Sequence, residues 1–301
     1  MAARKAFGTA IVASPLAYYL ISTNSGKPRS SRTGEDVDES CRRLNLPTPA
    51  KAQTVDVLHS PNLISKDEVR AILAAASKAR ARGLLGYVER RGESGRSKVG
   101  GDWRTTYMHS GNFFHDKIMD TEDLMGRIIK RVKERADKGD EGWAFMRKFL
   151  ENRDSLNFRT IELHEYGPGG GLPEKKHYDA GSIITIDAML CDGDKSFEGG
   201  MMYCPIYDLK SDEEEDDDVV IRRNFVKPSD GFNSAGDAIL FPSHKFRNVS
   251  PITGGKRVVM VLEIWEGEAK TCFHRCLKRE KCDYDEKRFQ QAELMKTVCM
   301  L

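Results

Sequence analysis

A histidine and an aspartate stand two residues apart at His177-Tyr178-Asp179. On an extended strand, side chains at that spacing leave the same face. A neutral imidazole nitrogen beside a hard carboxylate oxygen suits a ferrous ion. The two-histidine, one-carboxylate site that such an ion uses needs one more histidine, and it leaves positions open for a co-substrate and oxygen. The tripeptide alone fits an exposed histidine and aspartate in a polar loop better, so its surroundings must decide.

Those surroundings fall into a helical part and a strand part. Ser65 and Glu68 have the spacing of a capping box, in which each side chain satisfies the other's orphan backbone amide at a helix start. Val69, Ile72, Leu73 and Ala76 then recur at helical spacing, and Gly83 closes the helix. A second helix is predicted after Asp120, with Leu124, Ile128 and Val132 on one face, and a third around Trp143 to Leu150. Trp103 and Trp143 are expected in the core. After Asn157 the pattern becomes that of strands: Phe158, Ile161 and Leu163, then Ile183 to Ile186 running into Ala188 to Leu190, then Ala238 to Phe241 and Val258 to Leu262. Short apolar runs between Gly/Pro turns predict a β-sandwich or barrel, and helices before strands give an α+β order. The run Gly167 to Gly171 is a turn and not a phosphate loop, because no Lys-Ser/Thr follows it.

Several motifs occur in order around the His-x-Asp pair. They are Arg159 to Tyr166, the glycine turn, His177-Tyr178-Asp179, Ser182 to Thr185, Phe197-Glu198-Gly199-Gly200, Gly236 to Ser243, and Val249-Ser250-Pro251 running to Lys256-Arg257. Together with the opening Leu63-Ile64-Ser65, this series resembles the prolyl 4-hydroxylase-like branch of the iron(II)- and 2-oxoglutarate-dependent dioxygenases, over roughly Val55 to Gly267. The resemblance implies a double-stranded β-helix (jelly-roll) core with N-terminal supporting helices. It implies Fe(II) held by His177 and Asp179, 2-oxoglutarate as co-substrate, and ascorbate. It further implies hydroxylation of a protein or peptide, prolyl-like, or of a small molecule, with release of succinate and CO2.

Arg257 follows from chemistry and resemblance together. A dicarboxylate co-substrate needs a fixed cation at its far end, and the planar guanidinium fork pairs with a carboxylate through two parallel hydrogen bonds. Arg257 matches the family arginine on the last core strand, and Tyr166 resembles the tyrosine that hydrogen-bonds the co-substrate; an aromatic packing role suits Tyr166 as well. One position departs from the family. The second metal histidine should lie two residues before the valine of the Val-x-Pro motif, and Arg247 stands there. A guanidinium stays protonated and has no lone pair for a metal. His244, three residues earlier, is the expected third ligand if the preceding turn is re-registered. The alternative is a catalytically degenerate binding protein that kept the fold.

The 301 residues carry 31% charged side chains and a net charge of +2, so no global field points to nucleic acid, and none is expected as a partner. Arg4 and Lys5 precede an apolar stretch at 7–21, the pattern of a secretory signal or signal anchor. That stretch predicts a secretory-pathway location and membrane contact, and a linker rich in Ser, Gly, Pro and charge carries the chain to residue 54. The dioxygenase-like domain is assigned to 55–267, with an acidic loop at 208–218 containing seven consecutive acids, Asp212 to Asp218. A Cys-rich tail occupies 268–301. Cys272, His274, Cys276 and Cys282 lack a Cys-x-x-Cys pair, so zinc is disfavoured at this stage, and disulfides are expected if the chain is secreted.

Overall fold

The computed structural model describes residues 52–90, 102–114, 124–137, 156–204, 225–226, 234–276 and 282, with residues 143, 144, 147, 150 and 151 of a further helical stretch. The apolar segment at 7–21, the acidic run Asp212 to Asp218 and Cys299 lie outside the described residues. No helix among the described residues is long and apolar enough to cross a membrane.

Helix α1 spans Lys66–Ala81, and its start is the expected capping box: Ser65 Oγ accepts from the Glu68 amide at 3.2 Å while Glu68 accepts from the Ser65 amide at 2.7 Å. Val69, Ile72, Ala76 and Ala79 form its buried stripe. Helix α2, Leu124–Ala136, buries Ile128, Ile129 and Val132 in the same core. Trp143 is buried there too, its indole N–H donating to the Asp56 carbonyl at 2.8 Å.

The strands are β1 (Leu58–Ser60), β2 (Gly86–Arg90), β3 (Trp103–Tyr107), β4 (Leu156–Tyr166), β5 (Leu172–His177), β6 (Ile184–Met189), β7 (Phe197–Gly199), β8 (Met202–Tyr203), β9 (Phe225–Val226), β10 (Ala238–Pro242), β11 (Arg247–Val249), β12 (Ile252–Gly255) and β13 (Arg257–Glu266). Seven of them form one sheet in the order β1-β10-β6-β13-β4-β3-β2, four form a second in the order β5-β11-β8-β9, and β12 pairs with β7. All strand pairings among the described residues are antiparallel, and the crossed order is that of a jelly roll.

Strand alternation gives the large sheet two faces. One face, with Ile161, Leu163, Ile186, Ala188, Leu240, Met260 and Leu262, packs with α1 and α2. The other faces the small sheet: Tyr166, Met189, Ile239, Phe241 and Val259 meet Met202, Leu172 and Val249. Cross-strand register places Glu162, Val261 and Asp187 in one row of that inner face, and Thr160, Glu263 and Thr185 in the next. The interior therefore grades from apolar to strongly polar along β4 and β13, toward the end where Asp179 enters.

Candidate functional site

Asp179 follows β5 and is completely buried. Its backbone amide donates to the Ser243 carbonyl at 2.7 Å, tying the loop after β5 to the end of β10. Its carboxylate is surrounded by donors. Thr185 Oγ1 donates to Oδ2 at 2.8 Å, and Arg247 meets both oxygens, donating from Nη2 to Oδ1 at 3.1 Å and ion-pairing through Nη1, 2.7 Å from Oδ2. Arg275 Nη2 adds a bond to Oδ1 at 2.8 Å. Burial alone would hinder ionisation. Arg247 first, then the His177 hydrogen bond and Arg275, override it and hold the Asp179 carboxyl well below the usual range. Burial likewise disfavours the Arg247 cation, and Asp179 with Asp187 more than restores it.

His177 stands where the spacing placed it: Nε2 lies 3.6 Å from Asp179 Oδ1, with a quarter of the side chain exposed. Opposite His177, across the β5–β11 ladder, is Arg247. The arginine thus occupies the ladder position facing the proximal histidine and points at the aspartate.

His244, the third ligand expected from the sequence, is buried. Its ring packs edge-on against Tyr178, centroids 5.9 Å apart, and Tyr178 belongs to the helix-side core. The turn that carries it is held by Gln53. That side chain donates to the His244 carbonyl and accepts from the Phe246 amide, each at 2.8 Å, and the Gln53 carbonyl accepts from Lys245 Nζ at 2.8 Å. These bonds pin the β10–β11 turn in its register. The folded unit accordingly includes Ala52 and Gln53, just before the expected boundary.

Arg257 opens β13, opposite Tyr166 of β4. It is 1% exposed, and neither Nε nor Nη2 has a hydrogen-bond partner among the described residues. Its guanidinium carbon lies 5.8 Å from the centroid of the Tyr166 ring. Burial pushes the Tyr166 hydroxyl far above its ordinary pKa, so it remains a donor. Gly200 makes room for the arginine. At φ +62°, a Cβ there would lie 3.2 Å from Arg257 Cδ and 2.4 Å from Ile252 Cδ1. Asp187 Oδ1, on the same inner face, is another buried atom without a hydrogen-bond partner among the described residues.

The polar end of the interior is larger than the sequence suggested. Arg159 Nη1 donates to Glu263 Oε2 at 3.0 Å, and Ser182 Oγ donates to the same oxygen at 2.6 Å. Arg275 reaches Glu263 Oε1 at 2.5 Å and Glu162 Oε2 at 3.6 Å. Three carboxylates (Asp179, Glu162, Glu263) therefore meet three guanidiniums (Arg159, Arg247, Arg275). Glu162 is drawn down to about 2: burial opposes its ionisation, and Arg275 followed by His164 prevails. Glu263 goes the other way, burial and Asp179 outweighing its arginines. His164 Nδ1 accepts from Trp103 Nε1 at 3.1 Å, which leaves its proton on Nε2, 3.2 Å from Glu162 Oε2. Nothing in the spacing of Arg275 marked it for this site, since it lies 96 residues from Asp179 and past the last strand.

A ferrous ion does not fit this donor set. His177 is suitable, but both Asp179 oxygens are engaged by guanidiniums at 2.7–3.1 Å, and these would repel a dication while offering it no lone pair. Arg257, buried with unsatisfied donors, does fit a carboxylate.

No protein-family model matches the chain, and no curated protein sequence does. Solved structures do. One is a 2OG-Fe(II) oxygenase family oxidoreductase from Burkholderia pseudomallei, 12% identical, covering 81% of this chain and 96% of its own, with a TM-score of 0.41. Another is the non-heme alpha-ketoglutarate-dependent epimerase SnoN of nogalamycin biosynthesis, 18% identical, covering 81% and 92%, with a TM-score of 0.45. A third is a prolyl-4-hydroxylase from Pseudomonas putida, 14% identical, covering 77% and 100%, with a TM-score of 0.41. At these identities and TM-scores, the chemistry of the site is read from its own residues.

Proposed function

We propose that this chain is a ligand-binding protein on an oxygenase-type jelly roll, holding a dicarboxylate such as 2-oxoglutarate at Arg257 without a ferrous ion. The observation that carries this reading is the two-point ion pair between Arg247 and Asp179. It uses up the carboxylate that a metal would need. Arg257 keeps two unsatisfied donors in a buried interior, an expensive state unless a carboxylate completes them. The Tyr166 ring lies beside the guanidinium, and its protonated hydroxyl is available to donate to the same ligand.

A second reading, an iron- and 2-oxoglutarate-dependent hydroxylase of a peptide or small molecule, is favoured by the 3.6 Å spacing of His177 and Asp179 and by the 28% exposure of the Arg275 side chain. It requires both arginines to leave Asp179.

Calorimetric titration with 2-oxoglutarate, with EDTA and again with anaerobic Fe(II), separates the two. The binding reading expects the same affinity in both conditions. It also expects Arg257→Ala to weaken binding at least tenfold, since each charge-assisted hydrogen bond lost is worth ~1.5–3 kcal/mol. Affinity that appears only with Fe(II), together with a visible charge-transfer band and succinate formation, would overturn it in favour of the hydroxylase. In that case His177→Ala, Asp179→Ala and His244→Ala report which side chains hold the ion.

A further inference from the structure

The tail that delivers Arg275 has chemistry of its own. Cys272, His274, Cys276 and Cys282 converge beyond the last strand, and one ligand atom from each lies within 4.8 Å of all the others. The three cysteines are buried thiols that form a small cluster of their own. Cys282 Sγ is 3.7 Å from His274 Nε2. In a tetrahedral site with Zn–S near 2.3 Å and Zn–N near 2.0 Å, neighbouring ligand atoms stand about 3.5–3.8 Å apart. Three soft thiolates and an imidazole in a closed, buried cage are a structural zinc set, and no position is left open for a substrate. The spacing Cys-x-His-x-Cys with a distant fourth ligand lacks the usual Cys-x-x-Cys signature, so proximity in space reveals what the linear pattern hid.

We propose that these four residues bind one zinc ion, and that the resulting knuckle fixes Arg275 on the Asp179 carboxylate. Binding would deprotonate three thiols and release three protons, leaving a site of net charge −1. Arg275 lies between two of the ligands, His274 and Cys276. The backbone of the knuckle is stitched to the sheet on either side of it. The Thr271 carbonyl accepts from the Gly111 amide at 2.8 Å, the His274 carbonyl from His109 at 3.3 Å, and the Cys276 carbonyl from Arg159 Nη2 at 3.3 Å. Residues 271–276 form neither helix nor strand, so the metal supplies the rigidity that backbone hydrogen bonding of a regular element would otherwise give. The zinc site stands whether the interior binds a dicarboxylate or an iron.

The test uses the full chain, purified under reducing conditions in metal-free buffers. Elemental analysis should find one zinc per chain, released by a mercurial that caps thiols. Replacement by Co(II) should give thiolate-to-cobalt charge-transfer bands with the intense visible bands of a tetrahedral site. Cys282→Ser should lose the stoichiometric metal, and His244→Ala should keep it. Should Cys282→Ser not fold, the cobalt spectrum of the wild type still decides. Zinc-free protein whose tail thiols titrate freely, a disulfide within the tail found by mass spectrometry, or zinc retained by a folded Cys282→Ser variant would each overturn the proposal.

Discussion

Asp179 and Arg247 illustrate how one side chain changes what a site can be. An imidazole offers a metal its lone pair, whereas a guanidinium offers only protons and a permanent charge. Placed opposite His177, Arg247 therefore takes the carboxylate for itself. Buried pairs of this kind contribute little net stability, but removing one partner leaves the other charged and unsolvated, which typically costs ~3–5 kcal/mol. Asp179→Asn should lower the unfolding free energy by about that amount, measured by urea denaturation. Here two arginines are stranded at once. A change below about 1 kcal/mol would show that the pair is loosely solvated and available to a metal. That His177 and Asp179 come together and that Arg257 opens β13 was legible from spacing and motif, because each lies on or beside a strand whose neighbours fix its direction. Arg275 was not, because a contact between the end of the chain and its middle leaves no periodic trace. The setting of His244 is hidden in the sequence for a related reason. The register of its turn is set by Gln53, 191 residues away.

At the scale of elements, the join between β7 and β8 shapes the interior. Gly83 and Gly200 both hold positive φ, +68° and +62°, but they differ in surroundings: nothing lies within 4 Å of a Cβ at Gly83, while one at Gly200 would press on Ile252 and Arg257. Alanine at either position should cost ~1–3 kcal/mol of backbone strain. Only Gly200→Ala should also displace Arg257, so its affinity for 2-oxoglutarate should fall while Gly83→Ala binds as the wild type does. Equal calorimetric affinities for the two variants would detach the glycine from the arginine. The helices were readable from local signals, the capping box above all, because a cap involves residues three apart. The split of the strands into a large and a small sheet depends on long-range pairing, which short apolar runs do not encode; the resemblance supplied it.

For the whole molecule, the buried carboxylates set the acid limb of stability. Glu162 is shifted down to about 2 in the folded state, against ~4.3 for an unfolded glutamate. The unfolded chain therefore takes up its proton first as pH falls. The stabilisation from Glu162 is present in full above ~4.3 and is lost as pH drops through about 2. Asp179 acts in the same direction. Glu263, shifted upward, acts in the opposite one: its contribution is present below the unfolded value and is lost as pH rises through the folded one. Urea midpoints followed from pH 7 to 2 should fall steeply below pH ~4.3, and Glu162→Gln should flatten that limb. Identical slopes in the two proteins would mean that Glu162 is solvated rather than paired.

The docking of Arg275 also makes the segment after β13 part of the interior. One guanidinium there serves Asp179, Glu162 and Glu263, so a protease that cuts the chain between Glu266 and Arg275 takes a shared cation away from three buried acids.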